Sequence, residues 1–311
     1  MTNNAFSDMS TGELRDSLSA ATGVDLTDYF SDWIMQSGWA AFEVDSFSTS
    51  QVGNVWPTTI HLQQKLRHAD HYYSNVPVSI TFESADGTRW TDPVPAMAGG
   101  EFAAVSSAPP FEPEFVFINA DQRLALGTTT AEDTLTTTGT TNLVLADATL
   151  VVTGLTAPSP VRMEEFWTAA DDNTSEPFAF VVSPDRWWRF TGQLAEGTVL
   201  GLRINIDGRP TSPANYDPGL VQNAGGTVFC EDSLVVLYRP NAHFPWAVHP
   251  DTDINTLGGD TGNGYARITA NAIGLGDYCI AWRKSATGIT PHGDALAGWR
   301  LYPNPATDQV T

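Results

Sequence analysis

Basic residues are scarce in this sequence. Its 311 residues include 36 aspartates and glutamates but 15 lysines and arginines, and the lysines are Lys65 and Lys284 alone. The resulting formal net charge of −21 repels the phosphates of nucleic acids and of anionic membrane surfaces. We therefore expect no nucleic-acid partner, and we interpret the acidic surface as one that keeps a secreted protein soluble.

Long apolar stretches are also missing. No apolar run approaches the ~20 residues that a membrane-spanning helix needs. The first 18 residues have neither the basic region nor the apolar region of an export signal. We therefore expect no membrane span in this chain and no export signal at its start.

Cysteine is limited to Cys230 and Cys279, each in a stretch that reads as a strand. Two cysteines are too few for a cysteine-rich zinc site. They suffice for one disulfide in an oxidising compartment. We predict a Cys230–Cys279 disulfide, with two free buried thiols as the alternative.

Motifs for catalysis are absent as well. The sequence has no His-Glu-x-x-His, no Gly-x-Ser-x-Gly and no phosphate-binding loop. The stretch "HADHYY" supplies His68, Asp70 and His71, but it lies between strands and lacks an adjacent glutamate. We interpret it as an ordinary loop, with a metal site as the alternative, and we predict no catalytic residue or bound cofactor in this chain.

One loop offers oxygen ligands for calcium. In "PDTDINTLGGDTGNG", Asp251, Asp253 and Asn255 stand at alternate positions, as calcium ligands can. The sixth position is Thr256 rather than glycine and the twelfth is Gly262 rather than glutamate, so this is no EF-hand. A polar turn is the preferred interpretation, and an irregular calcium loop is the alternative.

The N-terminal part of the chain has the pattern of two short helices. Ser10 and Glu13 form a capping box for the first helix, which ends at Gly23. The second starts at Asp25 and ends near Gly38. Its apolar residues recur at helical spacing and predict one docking face: Leu26, Tyr29, Phe30, Trp33 and Ile34. Two short helices cannot bury such a face by themselves, so it needs a larger partner.

The rest of the chain is rich in short strands and turns. Ile60 and Leu62 alternate with polar residues, as do Val78, Ile80 and Phe82. Residues 127–141 hold nine threonines and read as a linker, with an edge hairpin as the alternative. The predicted fold is mainly β: a short N-terminal helical segment followed by two antiparallel β-sandwich-like units. We place boundaries at 1–44 for the helical segment, 45–126 for the first sandwich, 127–157 for the Thr-rich linker and strands, 158–292 for the second unit, and 293–311 for a C-terminal tail.

Tryptophan is abundant, with ten residues. Trp187, Trp188, Trp246 and Trp282 fall in the second β unit. Tryptophans on an exposed sheet can stack on sugar rings, which would indicate a carbohydrate-binding module. We prefer the interpretation that they are core residues, because a tryptophan buries a large apolar area.

The stretch "GVDLTDYFSDWIMQSGWAAFEV", residues 23–44, resembles the segment after the active-site region of M1-family zinc aminopeptidases, where an aromatic-rich helix leads into a β domain. The matching positions are Asp25, Leu26, Phe30, Trp33, Ile34 and Gly38. Ala40 stands where that family usually has proline, so the turn is expected to differ. Downstream, "IHLQQ", "PVSITFESADGT" and "PEFVFINAD" look like strands of that family's sandwich, so the resemblance covers residues 10–125.

Two further resemblances lie closer to the C-terminus. "VRMEEFW", "SPDRWWRFTG", "DSLVVLYR" and "GDYCIAW" are similar to the C-terminal extension of some secreted bacterial members of the family. "LYPNPATDQV" resembles the start of the C-terminal sorting domain used by type IX secretion, through Tyr302, Pro303, Asn304 and Pro305.

The resemblance implies that the chain is a non-catalytic C-terminal fragment of a secreted M1-like metallopeptidase, truncated at both ends. The family's zinc site would then lie in a missing upstream catalytic domain, which would dock on the predicted helix face. The complete tail would engage the type IX secretion machinery and place the protein at the cell surface or outside the outer membrane. A secreted carbohydrate-binding or cell-surface adhesive β module is the alternative.

Overall fold

The computed structural model describes residues 8–176, 179–221, 231–259 and 262–284. They form a mainly β protein with a short N-terminal helical segment and antiparallel sheets, which confirms the predicted fold class. In these ranges no helix combines the length and the apolar composition needed to cross a bilayer.

The N-terminal segment contains helix α1 (Thr11–Thr22) and helix α2 (Thr27–Phe30), which continues as a π-helix over Ser31–Met35. Ser10 and Glu13 form the predicted capping box, and Gly23 ends α1 in the left-handed conformation. The predicted N-cap of α2 is one residue off. Leu26 occupies that position, while the Asp25 carboxylate accepts a hydrogen bond from the Thr27 N–H at 2.9 Å.

The first β unit packs three small sheets around one apolar core, in strand orders β1-β2-β7, β3-β6 and β5-β4-β8. Its strands are β1 Trp39–Thr49, β2 Thr58–Arg67, β3 Val76–Val78, β4 Ile80–Glu83, β5 Arg89–Thr91, β6 Ala96–Ala98, β7 Phe102–Ser107 and β8 Phe115–Ile118. The five alternating residues predicted to face inward are all buried: Ile60, Leu62, Val78, Ile80 and Phe82. Strand β1 begins before residue 45, so the predicted helical segment ends too late.

The second β unit is a sandwich of a five-stranded sheet, in the order β10-β11-β14-β18-β17, and a six-stranded sheet, in the order β16-β15-β19-β13-β12-β9. Its strands are β9 Thr128–Leu135, β10 Gly139–Leu143, β11 Ala148–Gly154, β12 Ser159–Phe166, β13 Phe180–Gly192, β14 Val199–Asp207, β15 Leu234–Arg239, β16 Ala247–Val248, β17 Thr252–Thr256, β18 Tyr265–Ala270 and β19 Gly276–Arg283, with a short helix α3 at Pro218–Val221.

The threonine-rich stretch predicted as a linker is instead part of the second sandwich. Six of its nine threonines lie in β9 and β10, each at the edge of one of the two sheets, and the other three lie in the connection between these strands. An edge strand has one side open to water, so it tolerates many polar side chains that a central strand could not bury. Leu135 and Leu143 still reach the core from these strands.

The six-stranded sheet is covered on both faces. Trp188, Phe190 and Ile280 point into the core between the two sheets of the second unit. On the opposite face, Trp187 and Cys279 pack with Ala41 of β1, which belongs to the first unit. Because side chains alternate along a strand, every second residue of β13, β15 and β19 lies at the seam between the two units.

A row of charges crosses the centre of this seam. Arg189 of β13, Asp277 of β19 and Arg239 of β15 are directly opposite one another on adjacent strands. Asp277 accepts from Arg189 Nε at 2.7 Å and from Arg239 Nε at 3.0 Å. From the first unit, Glu43 places Oε1 3.4 Å from both guanidinium groups, and Arg189 donates to the Val44 carbonyl at 2.9 Å.

Further groups complete the charge balance at the seam. Lys65 Nζ lies 2.8 Å from Glu43 Oε2, an ion pair without hydrogen-bond alignment, and Arg239 donates to Asp171 at 2.6 Å. Lys65 also lies 5.3 Å from the ring centroid of Trp187, and the Arg239 guanidinium lies 4.1 Å from that of Trp246. Three cations and three carboxylates thus meet in a largely water-free layer, where each charge depends on its partners.

The predicted disulfide involves Cys230, which lies outside the described residues. Its predicted partner, Cys279, is fully buried in the central strand of the six-stranded sheet. Burial raises the pKa of the Cys279 thiol well above its ordinary value. The thiol is therefore protonated and shielded from solvent reagents at neutral pH.

We predict that Glu43→Gln lowers the free energy of unfolding by about 3–5 kcal/mol, because it leaves three buried cations with one fewer carboxylate. Asp45→Asn is the matched control: it removes a carboxylate two positions along the same strand, where the side chain is exposed. Urea denaturation of both variants measures the difference. Equal stability of the two variants would show that the charge row does not hold the units together.

Candidate functional site

The N-terminal helical segment presents apolar side chains that nothing in the described structure covers. Helix α1 has no buried residue at all. Tyr29 and Ile34 are each 51% exposed, and Leu14, Val24 and Met35 are exposed as well. These five residues, which we call the open apolar face, are the main candidate for a functional surface, because they are exposed apolar side chains carried by one short segment of the chain.

The predicted docking face is therefore divided between two environments. Phe30 is buried, Trp33 packs edge-on against Tyr73 at 4.9 Å, and Leu26 is half-buried. Tyr29 and Ile34 are about half exposed, although the Tyr29 ring stacks on Trp33 with 6.4 Å between the ring centroids. The π-helix accounts for the different exposure of Phe30 and Ile34: its hydrogen bonds run from residue i to i+5, so these two residues, four apart, do not share one face as they would in an α-helix.

Two polar side chains fasten this segment to the first unit. The buried Asp32 carboxylate accepts from the Ser74 N–H at 2.6 Å and lies 3.1 Å from His71 Nε2. The Gln36 side-chain oxygen accepts from the Asp70 and His71 amides at 3.1 and 3.3 Å. The π-helix, which carries Ile34 and Met35, is thus fixed to the first unit.

The "HADHYY" loop has a structural role at this site. The backbone carbonyl of His68 accepts from Ser37 Oγ at 2.9 Å. The backbone N–H groups of Asp70 and His71 donate to the side chain of Gln36, directly after the π-helix. Gly38, at φ +78°, leaves no room for a side chain against the Arg67 carbonyl. Among the described residues, no group of three or more His, Cys, Asp or Glu side chains is arranged to hold a metal ion. The loop interpretation therefore accounts for these residues.

Two of the three calcium candidates meet, but the Asn271 amide lies between them. Asp253 and Asn255 lie on the exposed side of β17, where strand geometry spaces them along the sheet. The Asn271 amide donates to Asp251 at 3.1 Å and to Asp253 at 2.9 Å, while Asn255 is opposite Arg267. The neighbouring loop is organised by Glu231, whose carboxylate accepts from the Gly262 and Gly264 amides.

The other residues predicted from the sequence to be functional are the tryptophans of the second unit and the sorting motif. Trp187, Trp188 and Trp246 are fully buried, so they cannot stack on a sugar. This confirms the core interpretation for all three. The sorting motif at Tyr302, Pro303, Asn304 and Pro305 lies outside the described residues.

The second unit contains another cluster of charges, centred on Arg186, that the sequence did not predict. Arg186 donates to both oxygens of Asp217 at 2.8 and 2.9 Å, to Glu165 at 2.8 Å and to Asp147 at 2.7 Å. One cation thus faces three carboxylates. Burial, only partly offset by Arg186, raises the pKa of Glu165 to about 7. The alternating pattern of a single strand could not predict this cluster, because its members come from four separate segments of the chain.

Comparison with known proteins returned no relative. No family model, no curated protein and no solved structure matches this chain.

We predict that Asp32→Ala lowers the free energy of unfolding by about 1–3 kcal/mol, because the Ser74 N–H loses its acceptor in a buried site. It should also expose residues 11–38 to limited proteolysis. Asp16→Ala is the control, since its carboxylate is largely exposed on α1. If Asp32→Ala matched Asp16→Ala in both assays, the segment would not depend on this anchor.

We predict that Glu165 makes folding less favourable as the pH rises. Its pKa is higher in the folded protein than the ordinary value of 4.5, so the folded state holds the proton more tightly. This contribution is fully present below about pH 4.5 and is lost as the pH rises to about 7. Glu165→Gln should therefore give a flatter dependence of Tm on pH in this range than the wild type or the exposed control Glu196→Gln. Parallel curves for all three would contradict the assignment.

Proposed function

We propose that this chain is the non-catalytic C-terminal β portion of a secreted M1-like metallopeptidase. In this proposal an upstream zinc-containing domain performs the chemistry, and the open apolar face docks against it. The observation that carries the proposal is that α1 buries none of its residues while the adjoining π-helix is firmly anchored. The family resemblance of residues 10–125 supplies the identity of the partner.

The position of the open apolar face fits a docking role. Its residues come from α1, from the turn after Gly23, from α2 and from the π-helix, so they extend along one continuous segment. Anchoring by Asp32 and Gln36 reduces the entropy that docking would otherwise cost, because the surface is ordered before the partner arrives. The two sandwiches would then act as a rigid support behind the catalytic cleft.

The proposal includes export. The Tyr302–Pro305 stretch would begin a sorting domain that the type IX secretion machinery reads, and the protein would reach the cell surface or the medium. The acidic composition is compatible with this destination, because a net charge of −21 favours solubility outside the cell.

The first test is to sequence the gene beyond both ends of this reading frame. An in-frame upstream His-Glu-x-x-His, followed by a glutamate ligand, supports the proposal. A stop codon directly before Met1 with no such motif nearby would overturn it. Stoichiometric zinc binding and cleavage of aminoacyl arylamides by the present chain alone would show that it is not the non-catalytic part.

We predict that the upstream polypeptide, expressed separately, binds this chain through the open apolar face. Tyr29→Ser and Ile34→Ser should each weaken binding by roughly tenfold or more, as truncation of apolar anchors does at interfaces. Phe102→Ser is the control, since Phe102 is 69% exposed on β7 of the first unit. Calorimetric titration measures all three, and an equal loss with Phe102→Ser would place the contact elsewhere.

A further inference from the structure

The outer face of the five-stranded sheet carries a polar groove of about 330 Å³. Its lining side chains include Asn142, Asp147, Thr149, Arg203, Asn205 and Arg267. They come from β10, β11 and β14, from β18, and from the turn between β10 and β11. The groove is separate from the seam and from the open apolar face.

The two arginines in this groove differ from most of the described cations of the protein. Every other described arginine or lysine before residue 283 takes part in an ion pair within the described ranges. Arg203 makes none there, and its buried Nε–H has no hydrogen-bond partner. Arg267 donates from Nε to the neutral Asn205 side chain at 3.0 Å. In a chain with more than twice as many acids as bases, these two positive groups lack a carboxylate.

The strand register brings the two arginines together. Arg203 is opposite Thr269, and Arg267 is opposite Asn205, so the arginines are diagonal neighbours on adjacent strands. Like charges at such positions repel each other, and a bound anion between them removes that cost. Two acidic side chains stand beside the arginines and both have other partners: Asp147 accepts from Arg186 at 2.7 Å, and Asp253, diagonal to Arg267 on β17, accepts from Asn271 at 2.9 Å.

We propose that this groove binds a small, singly charged sugar acid whose carboxylate lies between Arg203 and Arg267. Guanidinium groups form strong, directional hydrogen bonds to carboxylates. The amides of Asn142 and Asn205 and the hydroxyl of Thr149 supply partners for ring hydroxyls beside the carboxylate.

Size and charge select this ligand over other anions. The groove volume lies at the low end for small-molecule sites, so it takes one sugar unit rather than a long chain. The net charge of −21 opposes the approach of any anion and opposes a doubly charged phosphate or a polyanion more strongly. A single carboxylate meets the two arginines with the least repulsion from the rest of the protein.

This proposal is independent of the proposed function and is tested with the whole chain. Calorimetric titration at low salt compares sodium glucuronate with glucose, which lacks the carboxylate, and with inorganic phosphate, which lacks the ring. We expect binding of glucuronate, no detectable binding of glucose, and weaker binding of phosphate. Arg203→Gln and Arg267→Gln should each weaken glucuronate binding by about tenfold or more.

The control variant is Arg123→Gln, whose guanidinium is largely exposed and pairs with Asp121 in the first unit. It should bind glucuronate like the wild type. Backbone amide shifts of Asn142, Thr149 and Asn205 on titration place the ligand without any variant, in case a substitution prevents folding. The proposal is overturned if glucuronate does not bind, if glucose or phosphate binds as tightly, or if both groove variants bind like the wild type.

Discussion

The Arg189–Asp277–Arg239 row, closed by Glu43, is the interaction on which the arrangement of the two β units depends. It joins three central strands of one sheet to β1 of the other unit. The four groups have little access to water, so the loss of one leaves the others uncompensated. An acidic protein with 15 basic residues places three of its cations around the single carboxylate of Glu43.

The seam also determines how firmly the N-terminal segment is held. The first unit provides the base on which Asp32 and Gln36 hold the π-helix, and the seam fixes that base against the larger sandwich. The part of the open apolar face on the π-helix therefore keeps a defined position relative to both β units. A surface of this kind suits a permanent partner better than a transient one, because its apolar side chains remain exposed to water whenever the partner is absent.

The distribution of ion pairs also indicates where an anionic ligand would bind. Most of the described arginines form ion pairs, and those of Arg186 and Arg162 are among the buried ones. The pair formed by Arg203 and Arg267 is the exception on an outer sheet face, and it stands out against a surface that is otherwise acidic. In such a protein, an anion site is easier to recognise by cations that lack partners than by a local motif.

The sequence by itself determined the elements whose signals are local: the capping box at Ser10, the stop at Gly23 and the alternation at Ile60 and Leu62. It misjudged the threonine-rich stretch, since membership of a sheet edge depends on distant strands. The docking face was predicted only in part, because a π-helix instead of an α-helix separates Phe30 from Ile34. The charge row, the Arg186 cluster and the Arg203–Arg267 groove were decided by the tertiary structure alone, since strand register brings together charges that are far apart in the chain.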